Sequence, residues 1–124
     1  MITGLISKTL SVIDDSSNSE LIFHCTDGTK FRMYHSQDCC ESVELEDIVG
    51  DLSDIIGSPI LDAREETNSG SDPEDLKKDN HDDSFTWTFY IITTAKGTVT
   101  LRWLGESNGY YSESVDFDLI GQAS

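Results

Sequence analysis

The sequence predicts an α+β fold, predominantly antiparallel β, in one domain over residues 1–124: an N-terminal hairpin, one short helix and a C-terminal three-stranded meander. Two stretches of alternating apolar residues about Gly-containing turns predict the strands. A run of apolar residues spaced by three and four predicts the helix. The 124 residues, 36% of them hydrophobic, suit a single core and are too few for two.

The opening "MITGLISKTL" alternates like a strand and lacks the charged-then-apolar pattern of a secretory leader. In "ELIFHCTDGTKFRMYH" a three-residue loop, Asp27-Gly28-Thr29, pairs Cys25 with Phe31, Phe23 with Met33 and Leu21 with His35. The other face then carries His24 with Arg32, whereas a two-residue loop would set Phe23 against Arg32. Next, Ile48, Val49, Leu52, Ile55 and Ile56 support an amphipathic helix from about Leu45 to Ile56, which Gly50 weakens by roughly 1 kcal/mol relative to Ala. In the alternative, "SVELEDI" is a strand and only "DLSDIIG" is helical, with Asp51 as N-cap and Gly57 as the stop. Pro59 ends the helix either way, and "PILDAREET" reads as a strand.

Residues 68–84, "NSGSDPEDLKKDNHDDS", hold almost no apolar side chain and read as an exposed, mobile acidic excursion between two strands. Their spacing lacks the glycine and terminal glutamate of a helix-loop-helix calcium site. Beyond them, a loop Ala95-Lys96-Gly97 sets Thr93 against Val99, Ile91 against Leu101 and Phe89 against Trp103. A second loop, Ser107-Asn108-Gly109, sets Leu101 against Val115 and Val99 against Phe117, completing the meander.

Charge bounds the partners. Asp and Glu total 24 against 8 Lys and Arg, for a net charge of −16. Such a surface repels a nucleic acid backbone, whose affinity comes from cations that displace counterions, so direct nucleic acid binding is not expected. A basic protein, or the basic groove that normally holds a nucleic acid, is the favoured partner. No run of about 18 apolar residues predicts a membrane span. Cys25, Cys39 and Cys40 form an odd set without secreted-scaffold spacing and read as free thiols of a reducing cytoplasm.

Two stretches gather chemistry-bearing residues. "HSQDCCE" places His35, Asp38, Cys39, Cys40 and Glu41 within seven positions. His35, Cys39 and Cys40 are zinc-type ligands, but adjacent cysteines do not make the usual knuckle and no fourth ligand is near. A thiol nucleophile beside His35 would lack an oxyanion-hole glycine run, and the negative field would raise its pKa. No catalytic residue and no cofactor are therefore assigned. The structural reading buries one cysteine as a small hydrophobe while Asp38 and Glu41 satisfy turn donors. In "RWLGESNGYYSES", Arg102, Glu106, Asn108, Tyr110, Tyr111 and Glu113 offer a ligand- or partner-binding surface at a hairpin tip.

The stretches "MYHSQDCCESV" and "GESNGYYSESVDF" resemble a family of small uncharacterised proteins of bacteriophages and prophages, over about residues 1–119. The resemblance implies no catalytic or binding residues. It implies an accessory protein in the cytoplasm of a bacterial host, with the acidic insert as the variable part. The expected function is a non-enzymatic inhibitor or modulator that docks its acidic, DNA-like surface on a host protein such as a defence nuclease. A binder of a small ligand or nucleotide signal is the alternative, its phosphates held by Arg32, Arg64 and Arg102. A metal or thiol site at residues 35–41 is third. Sheet edges also permit a homodimer.

Overall fold

A computed structural model describes residues 2–15, 19–35, 41–69, 84–107 and 113–121. Their regular structure is eight antiparallel strands in two four-stranded sheets: β1 (Leu10–Asp14), β2 (Glu20–Cys25), β3 (Lys30–Tyr34), β4 (Ser42–Val49), β5 (Ile60–Ser69), β6 (Ser84–Thr94), β7 (Gly97–Ser107) and β8 (Asp116–Gly121). One sheet runs β1-β2-β3-β8 and the other β4-β7-β6-β5. Two 3-10 turns, Ile2–Leu5 and Leu52–Ile55, are the helical segments among the described residues, so the fold is mostly β rather than α+β with a helix.

The expected helix dissolves into two elements. Ile48 and Val49 end β4, whereas Leu52 and Ile55 lie in the second 3-10 turn, so the three-four spacing straddles a junction. Gly50 makes that junction: its φ is +104°, and a Cβ there would stand 2.8 Å from the Thr98 carbonyl oxygen. Asp51 caps the turn by accepting from the Ser53 amide, and Gly57 leaves it at φ +85°. The alternative division at Asp51 therefore describes this segment, with a four-residue 3-10 turn in place of its helix. The N-terminal residues form a 3-10 turn instead of a strand, burying Ile2 and Leu5, whose spacing of three suits that turn and not an alternating strand.

The β2–β3 hairpin has the expected faces but sits two residues away in register, with Phe23 opposite Phe31 and Leu21 opposite Met33. Cys25 N–H donates to the Thr29 carbonyl at 2.9 Å, so the loop is Thr26-Asp27-Gly28. Gly28 takes φ +89°, and Asp27 accepts from the Thr29 amide, fixing this closure. A shift of two preserves the side-chain alternation.

The β6–β7 hairpin slips by one residue, which exchanges the faces of β6. Thr94 pairs with Gly97 across the two-residue loop Ala95-Lys96, setting Ile92 against Val99, Tyr90 against Leu101 and Thr88 against Trp103. Thr94 selects this turn: its buried hydroxyl donates to the Asp54 carbonyl and accepts from the Lys96 amide. Both faces of β6 carry large apolar residues, so alternation alone did not distinguish them. The third strand of the expected meander is not there. β4 pairs with β7, placing Leu45 against Trp103 and Ile48 against Leu101, while β8 crosses to β3 in the other sheet.

The core fills the space between the sheets. Leu10, Leu21, Phe23 and Met33 from one sheet pack with Tyr90, Ile92, Leu101 and Trp103 from the other. Trp103 Nε1 donates to the Met33 sulfur at 3.1 Å, joining the layers at the centre. The expected acidic excursion falls mostly on residues 70–83, outside the described residues; at its ends Asn68 and Ser69 belong to β5 and Ser84 to β6.

Candidate functional site

His35 follows β3 and Glu41 precedes β4, and the structure brings their side chains together at 3.2 Å (Nε2 to Oε2). Both are buried, with side-chain exposures of 5% and 0%. His35 Nδ1 meets the Ser114 carbonyl at 2.7 Å, so the two chemistry-rich stretches of the sequence do converge here. Beside them Glu113 accepts from the Thr86 hydroxyl at 2.8 Å and the Ser107 hydroxyl at 2.5 Å. Gly105 lets this segment approach, since a Cβ there would collide with the Glu113 backbone. The arrangement ties the β3–β4 and β7–β8 connections to one point.

Arg102 lies elsewhere, on β7, 3.7 Å from Asp47 of β4, and Glu106 pairs with Ser42 and Phe85 across β7. Asp38, Cys39, Cys40, Asn108, Tyr110 and Tyr111 lie outside the described residues. Among the described residues no group of His, Cys, Asp and Glu could hold a metal, and Cys25 is a buried free thiol.

Sequence reasoning missed a second place. A cavity of about 410 Å³ opens in the gap between edge strands β5 and β8, floored by the first 3-10 turn and β6. Ile2, Tyr90, Val115 and Phe117 supply its apolar lining, and Arg64, Glu65, Asp116 and Asp118 its charged lining. Phe117 is held in place by stacking on Phe31, with ring centroids 5.2 Å apart. Tyr90 is 1% exposed and donates its hydroxyl to Glu65 Oε1 at 2.6 Å. Burial, then that hydrogen bond to a carboxylate, pushes the Tyr90 phenol well above its ordinary range.

Glu65 sits opposite Tyr90 in the ladder, two positions from buried Ala63, and so belongs to the inward face of β5. An inward-pointing carboxylate on an edge strand breaks the apolar alternation and keeps the gap between the sheets from closing as plain core. The irregularity between Ile60 and Asp62 sets this phase, and it was the signal hidden in "PILDAREET".

A family model described as a domain of unknown function (DUF7448) matches residues 3–117. The chain belongs to this family. No curated protein and no solved structure matches it. The DUF7448 match runs from the first 3-10 turn into β8, and so takes in His35, Glu41, Glu113 and all of the cavity lining except Ile2 and Asp118.

Charge in this DUF7448 domain is sorted by strand position. The edge strands hold Asp14 on β1, Glu44, Glu46 and Asp47 on β4, Asp62, Glu65 and Glu66 on β5, and Asp116 and Asp118 on β8. The inner strands carry only Glu20 and Glu106. Four cations are held by carboxylates: Lys8 to Asp27 and Arg32 to Glu20, each at 2.6 Å, Arg64 to Glu66 at 3.9 Å and Arg102 to Asp47 at 3.7 Å. The Lys8 ammonium, followed by the Thr29 donors, holds the Asp27 carboxyl well below its usual range. Arg32 also lies over the Tyr34 ring at 3.8 Å, and the Tyr34 hydroxyl donates to Asp118 at 2.6 Å. The three arginines thus stand on separate strands, β3, β5 and β7, and form no common anion cradle. Among the described residues no helix is long and apolar enough to cross a membrane.

Proposed function

We propose that this protein is a non-enzymatic binding protein that docks its acidic strand edges onto a basic surface of another protein. The observation that carries this reading is the placement of carboxylates on all four sheet edges, with Arg32, Arg64 and Arg102 each set against a carboxylate. A rigid β frame that holds negative charge in rows resembles the charge pattern of a nucleic acid backbone, and so suits a groove built to bind one. In the setting that the phage-family resemblance implies, the partner is a nucleic-acid-binding host protein, with a defence nuclease as the leading case. The same edge charge prevents strand-to-strand self-association, keeping the surface available in solution.

The dispersal of the arginines removes the cationic cluster on which a nucleotide-binding reading would depend. The test is capture of partners by the tagged protein from a bacterial lysate, with washes at low and high salt and with competing duplex DNA. A basic nucleic-acid-binding protein released by both salt and DNA is the expected result. A partner retained through both would contradict an acidic docking surface.

A further inference from the structure

The gap between β5 and β8 is more specific than a charged surface. It has depth, about 410 Å³, within the roughly 300–1,000 Å³ range of ligand clefts. It has an apolar floor of Ile2, Tyr90, Val115 and Phe117, and three carboxylates, Glu65, Asp116 and Asp118, against one cation, Arg64. Glu65 is fixed in direction by the Tyr90 hydroxyl at 2.6 Å, whereas Asp118, opposite Arg32 in the ladder, turns to the other face of β8 and accepts from the Tyr34 hydroxyl at 2.6 Å. An anion or neutral apolar ligand would meet this charge unfavourably. A small inorganic cation would leave the apolar floor of the cavity uncovered.

We propose that this cavity is a socket for an arginine side chain of the partner protein. The proposal rests on the acidic docking surface argued above and assigns its anchor point. The methylene stem would lie on Phe117 and Val115, as long basic side chains lie on apolar surface. The planar guanidinium would present its fork to the oriented Glu65 carboxylate, a match that an ammonium cannot reproduce. Arg64, exposed and held only loosely by Glu66 at 3.9 Å, occupies the mouth as a competitor for the same carboxylate.

The test is titration of the intact ¹⁵N-labelled protein with a short arginine-containing peptide. The same peptide carrying citrulline, which keeps the shape and removes the charge, is the comparison. Saturable shifts confined to the amides of Glu65, Tyr90, Val115 and Phe117, absent with citrulline, are expected. Glu65→Gln keeps an acceptor for Tyr90 and should weaken binding about tenfold, as for loss of one charged hydrogen-bond partner. Arg64→Glu, at an exposed position, should tighten it and does not depend on any loss of folding. Shifts spread evenly over Asp14, Glu44 and Asp62, or equal binding of the citrulline peptide, would overturn the socket and leave the acidic docking surface standing. Absence of binding by any basic peptide would overturn both.

Discussion

Both ring nitrogens of His35 are engaged: a carbonyl only accepts, so Nδ1 donates to Ser114, while Nε2 faces Glu41 Oε2 at 3.2 Å. His35→Ala should cost about 3 kcal/mol in urea unfolding, because it removes a buried partner of Glu41 together with the contact to Ser114. Tyr90 makes a pH-dependent contribution. Its phenol is raised in the folded state, so this stability is fully present below about pH 10, the unfolded value, and is lost as pH rises beyond it. Tyr90→Phe should lose about 1 kcal/mol at neutral pH for the missing bond to Glu65. It should also unfold less steeply with pH above 10 than the wild type, while the loss due to Tyr34, whose phenol is raised by Asp118, remains in both. Equal alkaline slopes in the two proteins would refute the assignment to Tyr90.

At the scale of elements, what the sequence made legible was strand content; what it hid was pairing. The first hairpin was readable because Leu21, Phe23, Cys25, Phe31 and Met33 lie on one face and His24, Lys30 and Arg32 on the other. The second was misphased because Trp87, Phe89 and Ile91 rival Tyr90 and Ile92 in apolar character, and the choice was made by the Thr94 hydroxyl, a contact 40 residues away in sequence. The crossing of β8 to β3 rests on Phe117 stacking with Phe31, which no local spacing encodes. Of the candidate site, the His35 and Glu41 pairing could be anticipated from the clustering of their types. The cavity could not, because its lining comes from residues 2 to 118 and its key carboxylate, Glu65, looks like any surface acid until the strand phase is known. Gly50 marks the same boundary between local and long-range control. Gly50→Ala combines a positive φ with a clash against Thr98 and should destabilise by more than about 1 kcal/mol, read as a lower thermal midpoint. An unchanged midpoint would mean that the β4 exit does not need this conformation.

For the whole molecule, a net charge of −16 on 124 residues sets two opposite responses to salt. Screening relieves self-repulsion within the fold, so thermal stability should rise as salt is added. Screening also weakens attraction to a basic partner, so binding should fall over the same range. A protein whose acid served solubility alone would show the first response without the second. The most direct measurement is the affinity of the purified protein for its captured partner between about 0.1 M and about 1 M salt, where the Debye length falls from about 10 Å to about 3 Å. It should be made for the wild type and for Glu44→Lys, Asp62→Lys and Asp118→Lys, one reversal on each of three edge strands. The account predicts affinity that drops steeply with salt in the wild type and is already weak in the edge reversals at low salt. Affinity that is flat with salt and untouched by reversing the edges would contradict it.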